Sequence, residues 1–207
     1  PDDVDREGVS AYAGPIEIID GPRGLPHQRN AMIAASRADI MVFFDDDFLP
    51  AANYLAEIEA LFSGNPNIAM ATGHVIKDGA AGAGLDFEEG RRSLEADVFR
   101  GPDSLRPVFN GYGCNMAIRL GPVREHSLRF DEKLPLYAWL EDVDFSRQLA
   151  PHGAIVKANR LRGAHLGTKR AGRSPGRPLG YSQIANPVYI RRKGNMRWYQ
   201  AWATSLQ

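Results

Sequence analysis

Three consecutive carboxylates, Asp45-Asp46-Asp47, follow directly on the apolar run Ile40-Met41-Val42-Phe43-Phe44, and this junction constrains the chain more than any other stretch. A short unbroken run rich in β-branched and aromatic residues, opened by Asp39 and closed by the triplet, predicts a strand buried on both faces. Adjacent carboxylates repel one another in a dry environment, so they need a cation, a donor-rich partner or open water. In parallel α/β sheets ligands gather at the carboxyl ends of strands, where these groups emerge. A hard divalent ion takes one or two carboxylates and fills its other positions with water and phosphate oxygens. The local chemistry therefore points to a metal-assisted phosphate site. An acidic triplet also caps helices and sits in solvated turns, and Asp47, ahead of Leu49-Pro50 and a helical pattern, fits that role too.

The chain has 207 residues, enough for one domain with a substantial core and an extension. Its single cysteine, Cys114, excludes an internal disulfide and suits a reducing compartment. No apolar run is long enough to span a bilayer and no signal-peptide pattern opens the sequence. Lys plus Arg and Asp plus Glu both number 25, but the balance is uneven along the chain. The last carboxylate is Asp144, and beyond it stand Arg147, Lys157, Arg160, Arg162, Lys169, Arg170, Arg173, Arg177, Arg191, Arg192, Lys193 and Arg197. Such a basic third suits anions: nucleotide phosphates, a lipid-linked acceptor or an anionic membrane surface, with nucleic acid left open by charge alone.

Pro15-Ile-Glu-Ile-Ile19 alternates as a strand, Pro26 to Arg37 reads as a helix with proline near its start, and Ile40 to Phe44 completes a βαβ unit. Ala52 to Phe62 has helical apolar spacing at Leu55, Ile58, Leu61 and Phe62. Ile68 to Ile76 predicts a strand leading into a Gly and Ala loop, and Glu88 to Arg100 a helix. Asn110 to Asn115 is a turn feeding a short strand at Met116 to Arg119. Glu141-Asp142 precedes a helix over Phe145 to Leu149, Ala154 to Leu166 is extended, Gly167 to Gly180 is a loop, and Pro187 to Trp198 is the final helix. The expected organisation is a domain over 1–166 followed by a basic loop and helical extension over 167–207.

Arg29-Asn30 on a helix, Phe44-Asp-Asp-Asp47 after a strand and Glu141-Asp142 opening a later helix occur in a set order, together with Gly113-Cys-Asn-Met-Ala117 and Phe130-Asp-Glu132. This combination, running from about Ile16 to His165, resembles the family 2 glycosyltransferases of the GT-A fold. The resemblance implies a three-layer α/β/α sandwich with a mixed central sheet, Rossmann-like in plan. It implies an inverting, metal-dependent transfer of a sugar from a nucleoside-diphosphate-sugar to a hydroxyl of a glycan or lipid-linked acceptor. Residue by residue, Asp45 or Asp46 would face the ribose, Asp47 with Asp45 would hold Mn²⁺ or Mg²⁺, and His165 would complete the metal or diphosphate site. Arg29, Asn30 and Asn115 would line the nucleotide-sugar, and Lys169, Arg170 and Arg173 would close over its diphosphate. Asp142 would be the general base, which needs hydrogen-bond reach to the acceptor hydroxyl and gains from a slightly raised pKa. Glu141 would support it or contact the acceptor. Asp144 in the same turn is a weaker candidate, because first-turn carboxylates are favoured by the helix dipole alone.

In such enzymes an apolar strand and a base-gripping loop come well before the Arg-Asn helix, so that strand and part of the base pocket are expected to be missing here. Two other classes compete. One is a metal-dependent nucleotidyl or phosphoryl transferase using the same triplet, a chemistry that wants two clustered ions. The other is a non-catalytic module binding sugar nucleotides or an anionic surface. Arg191, Arg192, Lys193, Arg197, Trp198, Tyr199 and Trp202 mix cations and aromatics as interfacial segments do, or form a terminal helix packed on the core. The expected location is cytoplasmic, with peripheral contact to the inner face of a membrane.

Overall fold

The computed structural model describes residues 14–19, 21–80, 82–134, 138–168 and 177–205, with the side chains of 177–179 and 202–205 outside that set. Its elements are α1 (Leu25–Ala35), β1 (Ile40–Phe44), β2 (Phe48–Pro50), α2 (Tyr54–Gly64), β3 (Ile68–Asp78), α3 (Phe87–Ala96) and β4 (Leu105–Pro107). They continue with β5 (Asn115–Arg119), α4 (Leu120–Glu125), α5 (Glu141–Leu149), a 3-10 turn at Ala150–His152, β6 (Ala154–His165), α6 (Arg177–Arg192) and α7 (Trp198–Ser205). The six strands form one mixed sheet in the order β1-β5-β3-β6-β2, with β4 also on β6. β3 and β6 run parallel, and the other pairings are antiparallel.

Side chains alternate across each strand, and the two sets are buried in different clusters. Phe43, Met116, Ile118 and Ile155 pack with Leu120, Val123, Phe145 and Leu149 from α4 and α5, while Ile33 of α1 joins them. Ala117, Val156 and Ala158 pack instead with Tyr54, Ile58 and Phe62 of α2, with Ile40 and Val42 alongside. Helices therefore cover both faces of the sheet, which is what an apolar run without alternation, such as β1, requires. Leu55, counted with the apolar stripe of α2, is exposed. Helix α3 starts where Asp86 accepts from the Glu89 amide and the Glu89 carboxylate accepts from the Asp86 amide, a complete capping box.

The front of the chain departs from expectation. Pro15 to Ile19 is not a strand: Ile16, Ile18 and Ile19 are all exposed. Alternation prepares one face for burial, but a strand also needs a neighbour for its backbone groups, and among the described residues β1 pairs only with β5. The expected βαβ unit is accordingly absent among the described residues. The three-residue strands β2 and β4 and the six-residue α4 carry no periodic signal of their own and were not expected. The final helix is two helices, α6 and α7, broken at Lys193 to Arg197.

The carboxy-terminal helices share a third cluster with the rest of the chain: Ile190, Met196 and Ala201 pack on Leu134, Ala138 and Val143. Lys193 Nζ lies 2.6 Å from the buried Asp144 carboxylate and also bonds Asp131, and Asn195 donates to Asp144 at 2.8 Å. Among the described residues no helix is long and apolar enough to cross a membrane.

Candidate functional site

The acidic triplet forms the tight turn between β1 and β2. The Phe48 amide donates to the Asp45 carbonyl at 3.0 Å, and the Asp45 amide to the Cys114 carbonyl at 3.3 Å. Antiparallel pairing of β2 with the end of β6 sets Phe48 opposite His165, and the β3–β6 pairing sets Asp78 opposite His165 on its other side. The result is a convergence: Asp45, Asp47 and His165 each offer one ligand atom within 4.8 Å of the others. Asp46, between them in sequence, is exposed and outside the group.

Two carboxylate oxygens and an imidazole nitrogen are a donor set that suits Mn²⁺ and other first-row ions that accept nitrogen as well as oxygen. The imidazole is oriented for it. His165 Nδ1 lies 2.9 Å from Asp78 Oδ1, and Tyr112 donates its hydroxyl to Asp78 Oδ2 at 3.0 Å. Nε2 stands 3.4 Å from Asp47: carrying a proton it donates to that carboxylate, and with its only proton on Nδ1 and donated to Asp78 it would offer its lone pair to an ion instead. Asp47 also accepts from the Thr168 amide at 2.9 Å. These bonds, with that from His165 first among them, hold the Asp47 carboxyl below its ordinary range. Burial pulls the His165 imidazole down, but its bonds and attraction to Asp47 and Asp78 more than offset this and raise it.

Arg29 joins this turn to the second acidic pair. Its side chain is 2% exposed, donating to Glu141, to Asp45 at 3.1 Å and to the Gly113 carbonyl at 2.9 Å. The guanidinium also lies over the Phe43 and Phe130 rings, 5.5 and 5.4 Å from their centroids. Protein groups thus occupy Arg29, which fixes the site's carboxylates from beneath. Asn30, expected beside the donor, is likewise buried. Its amide donates to the Phe130 carbonyl and Glu132, and its oxygen accepts from the Phe130 amide, tying α1 to the loop ahead of α5. Asn115 is buried at the start of β5, its oxygen accepting from Thr72 at 2.6 Å and from the Gly73 amide at 2.9 Å.

Glu141 and Asp142 open α5 after two residues in left-handed conformation, Ala138 (φ 56°) and Leu140 (φ 70°). Non-glycine residues held there mark a backbone over-determined by its surroundings. Asp142 is half-buried, and its oxygens accept from the Gly113 amide at 3.0 Å and the Val143 amide at 2.8 Å. Burial raises its carboxyl against the pull of Arg29. Glu141 is deeper: burial pushes it up to about 8, again opposed by Arg29, and its second oxygen has no hydrogen-bond partner among the described residues. Burial raises Asp45 as well. Asp144, fully buried, is saturated by Lys193, Asn195 and Gln148 and is an anchor for the carboxy-terminal helices.

The turn and the pair are therefore neighbours, with the Gly113-Cys114 backbone between them. Asp45 bonds it from one side and Asp142 from the other. Asp78, Tyr112 and Thr168 were not anticipated. Asp78 was findable, because it ends the apolar run of β3 and so stands at a strand's carboxyl end, the same criterion that singled out the triplet. Lys169, Arg170 and Arg173 lie outside the described residues.

No family model and no curated protein matches the chain. Among solved structures it is similar to one described as the crystal structure of a mycobacterial protein, with 19% identity and a TM-score of 0.47. That match covers 85% of this chain and 53% of the other, so the chain spans about half the length of that protein.

Proposed function

We propose that the chain is a divalent-cation-dependent glycosyltransferase with a GT-A-type sheet, transferring a sugar from a nucleoside-diphosphate-sugar to an acceptor hydroxyl with inversion. The observation that carries this reading is the convergence of Asp45, Asp47 and His165 beside the turn whose Asp45 is linked through Arg29 to Glu141 and Asp142. Mn²⁺ or Mg²⁺ would be held by Asp45, Asp47 and His165, and neutralisation of charge on a departing diphosphate is what such an ion supplies there.

The remaining work falls to the chain itself. Asp142 is the base: it is half-buried, its pKa is raised by desolvation, and two backbone amides fix its orientation. It takes the proton of the acceptor hydroxyl as that oxygen bonds to the anomeric carbon and the bond from that carbon to the diphosphate oxygen breaks. Glu141, locked to Arg29, positions rather than reacts. Asp45 is held in place by its hydrogen bond from Arg29.

The test is Asp142→Asn in the complete chain, assayed with Mn²⁺ and a panel of uridine, guanosine and thymidine diphosphosugars. Transfer, read as nucleoside diphosphate released, should fall by about 10³-fold or more, while Mn²⁺-dependent binding of the diphosphate is retained. Undiminished transfer refutes the base assignment. Release of monophosphate or pyrophosphate by the parent protein replaces the whole reading with nucleotidyl or phosphoryl transfer.

A further inference from the structure

Helix α6 is apolar on its outer side while its inner side is mixed. It turns inward Ser182, Asn186 and Ile190, each no more than 1% exposed, and the buried Pro187. Those it turns outward, at Tyr181, Ile184 and Val188, are 64%, 64% and 42% exposed. Spacings of three and four residues make this one continuous stripe along the helix. A helix packed on a core normally reverses this arrangement, so the outer stripe calls for an apolar neighbour.

The stripe runs on into charge. One further turn along the same face come Arg191 and Arg192, both exposed, and the next segment adds Arg197, Trp198 and Tyr199, also exposed. Lys193 is turned the other way, onto Asp131 and Asp144. Among the described residues no ion pair is made by Arg191, Arg192 or Arg197, and from Phe145 to the last residue the sequence has no carboxylate. Tyrosine and tryptophan with branched aliphatics, edged by arginines alone, match a surface that is apolar below and anionic at its rim.

We propose that α6 and the start of α7 form a docking face for an anionic phospholipid surface, with Tyr181, Ile184 and Val188 entering the headgroup boundary and Arg191, Arg192 and Arg197 pairing with lipid phosphates. A second copy of the chain fits this face poorly, because antiparallel two-fold pairing of the stripe would bring Arg191 and Arg192 to the Tyr181 end of the other helix, where the sequence offers no carboxylate to pair them. A nucleic acid would satisfy the arginines and leave the aliphatic stripe in water.

The complete chain is floated with phosphatidylcholine vesicles, with and without phosphatidylglycerol, at low and high salt, and its oligomeric state is measured by sedimentation velocity. Binding should require phosphatidylglycerol and weaken as salt rises. Ile184→Asp should weaken partition by about tenfold or more, since it places a charge where the stripe enters the lipid. Arg191→Gln with Arg192→Gln should weaken it by roughly thirtyfold, two headgroup attractions being lost. Leu55→Asp, an equally exposed apolar position on α2, should leave it unchanged, and unaltered circular dichroism and melting temperature show that each variant folds. Equal binding to neutral vesicles, full binding by Ile184→Asp, or a dimer that ignores lipid and is broken by Ile184→Asp overturns the proposal. Absence of binding to either vesicle overturns it as well.

Discussion

Replacing Arg29 with methionine removes the cation that bridges Asp45 and Glu141 while keeping most of the side chain's volume. Three hydrogen bonds go, to Glu141, Asp45 and the Gly113 carbonyl, along with the guanidinium's contact with the Phe43 and Phe130 rings. The lost bonds matter less than what stays behind. Glu141 is 5% exposed and cannot rehydrate in place, and Asp45 and Asp142 lie close by. Breaking a buried pair by removing one partner costs about 3–5 kcal/mol. For a chain of this size that is roughly 6–20 °C in melting temperature. Urea denaturation of the parent, Arg29→Met, Glu141→Gln and the double variant closes a thermodynamic cycle. The double variant should be less destabilised than the two single losses added together, by about 2 kcal/mol or more, because the Arg29–Glu141 interaction is then lost once rather than counted twice. Arg29→Lys should recover only part of the loss, since a point charge cannot fork between Glu141 and Asp45. A loss under about 1 kcal/mol for Arg29→Met, or strict additivity in the cycle, would refute the view that this ion bridge organises the site.

Other expectations follow from particular contacts. Asp78→Asn should weaken Mn²⁺ binding, measured by calorimetry with the ion alone, by about 10–100-fold through loss of the His165 orienting bond, whereas Asp46→Asn should leave it unchanged. Arg162 bonds Asp97 and holds its carboxyl below the usual range. Because the folded pKa is depressed, that stabilisation is present above the unfolded value and disappears as pH falls through the acid range. Asp97→Asn should therefore cost about 1–2 kcal/mol at neutral pH and nothing once the parent's Asp97 is protonated, as compared by urea denaturation at the two pH values. A methyl group at Gly163 would meet the Phe48 ring at 2.0 Å, and that ring is confined by Phe44 and Tyr54. Gly163→Ala should cost about 2–3 kcal/mol by overpacking, read from the same denaturation curves.

What could be read in advance was what depends on local pattern. The unbroken run Ile40 to Phe44 is a strand with those bounds, Ile68 begins β3, and the acidic pair opens α5, since apolar runs and first-turn carboxylates leave their mark within a few residues. The expected burial of that strand on both faces is not met, because β1 lies at the end of the strand order with only Phe43 buried and Phe44 exposed. Pro15 to Ile19 shows the limit: its alternation was genuine, but pairing depends on a partner elsewhere in the chain. The strands β2 and β4 exist because β6 is there to receive them. At the site, the acidic triplet was legible from its place at a strand end, whereas His165 came into view only through the family resemblance. The burial of Arg29 and Asn30 was not, because an arginine in a helix reads the same whether it faces water or is gripped by Glu141, more than a hundred residues on. The outward stripe of α6 was hidden because the helix starts at Arg177, ten residues ahead of the expected start at Pro187, which it carries in its interior. Tyr181, Ile184 and Val188 have core-like spacing, and only the packing of Ile190 and Asn186 reveals which side is inside.

The central pair β3 and β6 has a kinetic consequence. These strands lie side by side, yet α3, β4, β5, α4 and α5 all intervene in the chain. Bringing them together closes a long loop before most of its contacts can repay the entropy, which makes refolding slow. His165, at the far end of β6, reaches Asp47 only after that closure. Until then β3 offers an unfilled edge to other molecules. Recovery from denaturant should therefore depend steeply on dilution.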